Sequence, residues 1–413
     1  MLRPLFATYR EAFSGLSRSA WLLSLATLIN RSGTMVMPFL LLFLVEKRGF
    51  TTTQAGETLA LYGLAAMVSS YMGGRLCDRF GPMRVIKLSL FLTGVGFLAL
   101  GRVQGRPAIL TTVVLLSLVA EVFRSANLAA LTSVSDPGER TRSIALMRLA
   151  INLGMTLGPS VGGFLAYYDY GWLFMVDGGT SILAAVLLQF AFPTERAAAP
   201  APAAVRAKAA SPFRDLPTMA ILSLMFLLNI VTFQVAGTYT LSLKELFGFS
   251  EARIGLVLAV NTFIIILVEM VLVHSLARRD PLKVSAAGAM LFCAGLGLLP
   301  YGRGFAWVVL TVVVWTIGEM LVFPIVTSAV ADRAPEESRG TYMGLLNFSF
   351  ASAFVVAPLV GTWTYQHLGA RVLWTACGAM GVLVGAGFWA MAVVTRRRAP
   401  APGGGEALPV TEP

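Results

Sequence analysis

The side chains in this sequence that could do chemistry are ionisable groups placed inside long apolar stretches. Glu121 and Glu319 each lie near the middle of such a stretch. Charge inside an apolar medium is costly, so it is retained where it carries protons, binds a charged ligand or pairs with another charge. A carboxyl group in these surroundings can exchange a proton near neutral pH, because desolvation disfavours its charged form. We predict six candidates for proton coupling, the two glutamates first: Glu121, Glu319, Arg124, Arg31, Asp177 and Glu269.

Structural ion pairs are the alternative role for these groups. Arg124 follows Glu121 by three residues and shares its helix face, and Arg31 lies in an earlier stretch. We expect Glu121 to neutralise one of these arginines, since an unpaired buried charge is strongly unfavourable. Glu319 has no basic residue near it in the sequence. It could carry a proton, hold a cationic substrate or contact an arginine from another part of the chain.

Polar residues inside other apolar stretches are weaker candidates, for contact with a bound substrate. The 17 Met and 26 Phe of the chain would supply adaptable apolar surface around them. The polar candidates are Asn30, Arg148, Asn152, Asn229, Gln234, Asn261 and Asn347.

Enzymatic signatures are weak in this sequence. Residues 158–162 fit the G-x-S-x-G pattern, but they lie within an apolar helix rather than at a strand–turn–helix junction. The sequence has no phosphate-binding G-x-x-x-x-G-K-[ST] loop, and its three cysteines have no metal-ligand spacing. We therefore expect no enzyme activity, no bound metal and no cofactor.

Composition places these residues in a membrane. The chain is 56% hydrophobic and 13% charged, against roughly 25% charged in soluble domains. A membrane helix needs about 20 mostly apolar residues. The sequence predicts an all-α membrane protein of twelve such spans, at 20–45, 53–73, 84–102, 107–132, 140–166, 172–192, 218–243, 252–276, 284–301, 305–330, 340–364 and 371–395.

The spans divide into two sets of six. We predict a first bundle at 1–192, a flexible Ala/Pro-rich linker at 193–217, a second bundle at 218–395 and a disordered tail at 396–413. If both termini are cytoplasmic, 21 of the 32 Lys and Arg lie on the cytoplasmic side, as the positive-inside rule requires. The net charge of +11 is then a topology signal, and no nucleic-acid partner is expected.

An internal repeat supports the division into halves. Residues 120–163 contain, in order, a small residue followed by Glu, an acidic turn and a Pro-containing run of small residues. The same order recurs about 198 residues later, at 318–361. In the first copy Gly recurs at every fourth position from Gly154 to Gly162, and Pro159 is expected to bend the helix. Two similar halves are typical of transporters whose site lies between them. We expect the fifth and eleventh spans to face each other across that join.

Two segments resemble the major facilitator superfamily. Residues 74–81, Gly-Arg-Leu-Cys-Asp-Arg-Phe-Gly, resemble its G-x-L-x-D-R-x-G loop between spans two and three, although Pro82 and Met83 interrupt the basic run that follows. Residues 154–163 match the G-x-x-x-G-P-x-x-G-G motif of its drug:proton antiporter branch. Arg124 also resembles a proton-coupling arginine of that superfamily, without its Gly-rich flank.

The resemblance implies twelve helices in two pseudo-symmetric six-helix bundles and transport by alternating access. It implies a cytoplasmic conformational latch, formed by Gly74, Asp78, Arg79, Gly81 and Arg84. It also implies a helix-packing and antiport motif, formed by Gly154, Gly158, Pro159, Gly162 and Gly163.

We therefore expect a monomeric multi-pass transporter of the cell membrane. Its partners would be a small amphipathic substrate, protons and the lipid bilayer, and a proton gradient would drive export. A proton symporter or uniporter for a nutrient is the first alternative. A receptor or scaffold that does not transport is the second, although neither needs buried carboxyl groups or an intact latch.

Overall fold

The computed structural model describes residues 16–135, 140–193, 213, 215–276, 279–335 and 339–398. Most of the predicted linker and the tail beyond Arg398 lie outside these ranges, as does the acidic turn at 136–139, so their character stays a prediction. The described residues are almost entirely helical, as the apolar composition predicts.

Among the residues that the structure describes, seven helices belong to the first half: α1 (Arg18–Ser32), α2 (Val36–Arg48), α3 (Thr52–Phe80), α4 (Pro82–Arg102), α5 (Arg106–Val134), α6 (Arg140–Tyr168) and α7 (Gly171–Ala191). Seven more form the second half: α8 (Leu216–Thr232), α9 (Thr238–Glu245), α10 (Glu251–Leu276), α11 (Pro281–Gly297), α12 (Gly304–Arg333), α13 (Arg339–Leu368) and α14 (Ala370–Arg398). A 3₁₀ turn at Leu299–Tyr301 follows α11.

These helices match the predicted spans closely, and the predicted all-α membrane fold is confirmed. Within the described ranges, nine spans are long and apolar enough to cross a membrane, with α1 and α2 together counted as one. Helices α8 and α11 are apolar but shorter, at 17 residues each. The predicted first and seventh spans each fold as two helices joined by a short break, α1–α2 and α8–α9.

The first break lies at Gly33–Met35, where glycine weakens the helix. Helix α2 then begins without a side-chain cap of its own. Asp177 of α7 supplies one instead, because its carboxylate accepts hydrogen bonds from the backbone N–H groups of Met35 (3.3 Å) and Val36 (3.2 Å). A carboxylate at a helix N-terminus also stabilises the helix dipole.

The second break lies at Phe233–Gly237 and is held by an uncharged side chain. The Gln234 amide nitrogen donates to the carbonyl oxygens of Ile230 (3.1 Å) and Ala357 (2.8 Å). Its amide oxygen accepts from the Thr238 hydroxyl (2.8 Å). The same repeat position is therefore broken in both halves, by different chemistry.

The Gly154–Gly163 motif packs against the first of these breaks. A Cβ added at Gly154 would lie 2.4 Å from the Arg31 Cβ, and one at Gly158 would lie 2.7 Å from the Thr34 carbonyl oxygen. Only glycine permits so close an approach of two helices. In the second half, a Cβ added at Gly361 of α13 would meet the Gln234 amide in the same way.

The two halves meet mainly along two pairs of helices, α3 with α13 and α6 with α10, and α2 also touches α9. The expectation that the fifth and eleventh spans face each other is therefore wrong. Helices α6 and α13 each pack on the broken helix of their own half, and each reaches across to a different helix of the other half.

Candidate functional site: a cleft between the two halves

The contacts between the halves lie near one end of the molecule. We call it the sealed end; it carries the connections at 49–51, 169–170 and 246–250. A Cβ at Gly163 of α6 would lie 2.7 Å from the Gly255 Cα of α10, so the two backbones touch there. On the other pair, a Cβ at Gly56 of α3 would lie 2.7 Å from the Pro358 carbonyl oxygen of α13. The opposite end, with the turn at Gly81, the end of α7 and the start of α8, we call the open end.

An ionic network crosses the join at the sealed end. The Tyr170 hydroxyl, from the first half, hydrogen-bonds both Glu46 and Glu251, each at 3.1 Å. The Lys244 amine contacts Glu251 at 2.5 Å and Glu46 at 3.6 Å, so it bridges a carboxylate from each half. Sequence reasoning missed this network, because the charges looked like ordinary loop residues until the fold brought four separate segments together.

Toward the open end, α6 and α10 carry polar and charged residues beyond their glycine contact. Arg148 and Asn152 are exposed and lie on the face of α6 that carries Pro159 and Gly163. Glu269 of α10 is half-buried, and the charge of Arg148 acts on it across the gap. These predicted residues therefore line a cleft between the halves.

Glu319 lies on α12 where that helix packs against α10. Its carboxylate accepts a hydrogen bond from the Asn261 amide at 2.9 Å, and that amide also donates to the Thr316 hydroxyl at 3.0 Å. Glu269 is the charged group that acts on Glu319, and it has the same sign. Within the described part of the chain no Lys or Arg forms an ion pair with Glu319, so the arginine alternative finds no support there.

Glu121 occupies the matching position on α5. It interacts by a hydrogen bond with the Tyr62 hydroxyl, which also feels the charge of Arg31. The Arg31 guanidinium lies over the Phe123 ring, 5.4 Å from its centroid. Glu121 and Arg31 thus both act on Tyr62 in the first half, and the neutralisation of Arg31 by Glu121 stays a prediction. The Arg124 side chain lies outside the described residues, so its pairing with Glu121 stays a prediction.

Three predicted cavity residues are buried in this structure. The Asn30 amide donates to the Ser181 hydroxyl at 3.1 Å, and Asn229 is fully buried on α8. Gln234 holds the second helix break and lines a small pocket where the two halves meet. Their contact with substrate stays a prediction. Asn347 is exposed on α13, and Asn261 is the partner of Glu319.

The predicted latch is helical rather than a loop. Residues 74–80 form the last turns of α3, and the chain reverses at Gly81, whose φ of +83° favours glycine. Gly74 thus needs no turn conformation. Asp78, Arg79 and Arg84 are exposed at the open end. Asp78 makes no hydrogen bond or ion pair with the rest of the described chain.

Two similar halves that meet along the antiparallel pairs α3/α13 and α6/α10 are typical of membrane transporters. The family model of the Major Facilitator Superfamily matches residues 21–358, and the chain belongs to that family. The predicted resemblance is confirmed.

Relatives and solved structures agree with this assignment. The chain is 25% identical to the uncharacterized MFS-type transporter YqjV of Bacillus subtilis, over 85% of this chain and 87% of that protein. It is 22% identical to the multidrug resistance protein MdtH of Aeromonas salmonicida, over 88% and 92%. A peptide transporter POT in complex with sulfate superposes with a TM-score of 0.78 at 18% identity, over 93% and 96%. The nucleoside transporter NupG superposes with a TM-score of 0.76 at 11% identity, over 91% and 100%.

Proposed function

We propose that this transporter exports small amphipathic molecules in exchange for protons. The observation that carries the proposal is Glu319, a carboxyl group between α10 and α12 whose surroundings supply an amide hydrogen bond and a like charge. Such a carboxyl group is stabilised most when it binds either a proton or a cationic ligand. The two cannot occupy it together, and that competition is the basis of antiport.

Orientation supports export. The Lys and Arg distribution assigns the open end to the cytoplasm. In this conformation the cleft therefore admits substrate from the cytoplasm, while Lys244 and Tyr170 hold the outer end closed. In the alternate conformation, a proton from outside would neutralise Glu319 and release the substrate.

The latch residues fit the other half of the cycle. Asp78 is exposed while the cytoplasmic end is open. When that end closes, its carboxylate can accept hydrogen bonds from a neighbouring helix and pair with a basic residue. The latch would then stabilise the conformation that this structure does not show.

The similarity to the MdtH multidrug resistance proteins favours drug-like substrates over nutrients. The Gly154–Gly163 motif points the same way by its resemblance to the antiporter branch. Symport, uniport and a non-transporting role remain alternatives, and the direction of proton flow separates them.

Transport in proteoliposomes with an imposed pH gradient tests the proposal, with cationic dyes as substrates and sugars and amino acids as comparison. We expect Glu319→Gln to abolish dye flux driven by the gradient and to retain dye-for-dye exchange without it. Glu57→Gln is the matched control, because Glu57 is an exposed carboxylate paired with Arg106 outside the cleft.

Two outcomes would overturn the proposal. Dye that moves with protons rather than against them would establish symport. Gradient-driven flux that survives in both Glu319→Gln and Glu121→Gln would remove proton coupling from these carboxyl groups.

A further inference from the structure

A second cavity, of about 520 Å³, lies outside the cleft. It is formed where the first turns of α4 meet the last turns of α7, at the open end of the first half. Its volume is in the range of small-molecule sites. Neither the cleft, the latch contacts nor the ionic network explains it.

The polar rim of this cavity is positively charged. Arg84 and Lys87 of α4 contribute to its lining, together with Gln189 of α7, and none of the lining residues is acidic. The Lys87 amine donates to the Phe192 carbonyl oxygen at 2.7 Å, which places it across the gap between the helices. A lysine ammonium has three donor hydrogens, so several acceptors can share it. The N-terminus of α4 adds the positive end of a helix dipole.

The remainder of the lining is apolar and continues along the membrane-facing surface. Leu88, Phe91 and Val186 line the cavity and are 60%, 46% and 41% exposed. One turn further from the open end, Val95 and Leu183 are also exposed. The cavity therefore has a cationic end at the open end of the molecule and an apolar wall that runs along α4 and α7 toward the sealed end.

We propose that this cavity binds an anionic phospholipid, with the headgroup phosphate on Arg84 and Lys87 and an acyl chain along Leu88 and Phe91. Basic pockets between membrane helices recognise anionic headgroups in this way. The acyl contact distinguishes the ligand from free phosphate, which could use only the rim.

The second half of the molecule provides an internal control. Lys283 stands near the start of α11, as Arg84 stands near the start of α4, but its amine lies over the Trp389 ring at 5.2 Å. Position 87 has its counterpart in Ala286, which is buried and uncharged. In the second half, the place equivalent to the cavity is thus occupied by the Trp389 side chain, and it has one basic residue where the first half has two.

Native mass spectrometry of the purified full-length protein, titrated with dioleoyl phosphatidylglycerol and with dioleoyl phosphatidylcholine, tests the proposal. We expect preferential binding of phosphatidylglycerol, weakened about fivefold by Lys87→Gln and about thirtyfold by Arg84→Gln with Lys87→Gln, following the free energy of one basic residue at an anionic surface. Gln189→Trp keeps both charges and fills the cavity, so it should weaken binding of both lipids. Lys283→Gln with Arg279→Gln removes the same charge from the other half and should change neither affinity.

Three results would overturn the proposal. Equal affinities for the two lipids would remove the headgroup contact. An equal loss in the Arg84/Lys87 and Arg279/Lys283 double variants would show a general charge effect. Displacement of the bound lipid by millimolar inorganic phosphate would show that the rim alone forms the site. All of these readouts are independent of transport, so they stand apart from the proposed antiport.

Discussion

The two broken helices of this transporter occupy the same place in the repeat but are stabilised differently. In the first half, the break is held by the Asp177 carboxylate and covered by glycines of α6. In the second half, it is held by the Gln234 amide and covered by Gly361 of α13.

The starts of these helices show the opposite arrangement. Helix α1 begins with a neutral cap, because the Ser17 hydroxyl accepts from the Ala20 N–H at 3.2 Å. Helix α8 begins with a charged cap, because the Asp215 carboxylate accepts from the Thr218 N–H and hydroxyl at 3.3 and 2.6 Å. The fold therefore specifies where a helix end needs an acceptor, and each half supplies it independently.

The largest expected effect comes from the glycines that cover the breaks. At Gly158 an added Cβ meets the Thr34 backbone, which cannot move without shifting the break. At Gly361 it meets the end of the flexible Gln234 side chain. We expect Gly158→Ala to lower the free energy of unfolding by about 3 kcal/mol and Gly361→Ala by about 1 kcal/mol, typical of overpacking against rigid and yielding neighbours. Unfolding by SDS in mixed micelles measures both, and equal costs would contradict the comparison.

The next effect concerns the groups that hold the breaks. Asp177→Ala leaves two N–H groups at the start of α2 without their acceptor and should cost about 2 kcal/mol. Asp177→Asn keeps an acceptor, so it should cost about half as much. Gln234→Ala removes only uncharged hydrogen bonds and should cost less than Asp177→Ala. The same SDS titration compares the three variants.

Asp177 is also a predicted proton-coupling residue, and the asparagine variant separates the two roles. A capping role predicts that Asp177→Asn lowers stability and leaves proton-driven transport intact. Loss of proton coupling at unchanged stability would favour the other role.

The smallest expected effect is a difference in the pH dependence of stability between the caps of α1 and α8. Burial favours a higher pKa for Asp215, but the hydrogen bonds from Thr218 and the charge of Arg333 outweigh it, so its pKa lies below the ordinary value. The stabilisation is therefore present above the unfolded pKa of about 3.9 and is lost as the pH falls through the native value. Asp215→Asn should cost about 1 kcal/mol at pH 7, and the difference from the parent should vanish below that lowered pKa. Ser17→Ala should cost a similar amount at every pH, as thermal unfolding in detergent at stepped pH would show.

Much of the fold follows from the sequence, because apolar length and charge distribution constrain a membrane chain strongly. The spans, their division into halves and the repeat from 120–163 to 318–361 depend only on local patterns. The breaks at Gly33–Met35 and Phe233–Gly237 do not, since both lie in continuous apolar runs. Their acceptors come from distant segments, and only the fold shows that Asp177 reaches α2.

The candidate site was predictable to a lesser degree. Glu121 and Glu319 were identifiable because a carboxyl group within a span is rare. Asn30 and Gln234 have the same local appearance as Asn261, and only packing distinguishes a buried structural amide from one in the cleft. The network of Tyr170 and Lys244 was not identifiable at all, since each member is an ordinary residue near a helix end.

The backbone contact between Gly163 and Gly255 can also act as a pivot for the long segments of α6 and α10 beyond it. Arg148 lies 15 residues from Gly163 and Glu269 lies 14 residues from Gly255, which is about 21 Å along each helix at the usual rise. A rotation of about 10° about this contact would displace the far ends by about 4 Å relative to each other. A displacement of that size is enough to break an ion pair and leave two solvated charges. A small angular change at the glycines is therefore enough to open or close the cleft at the open end.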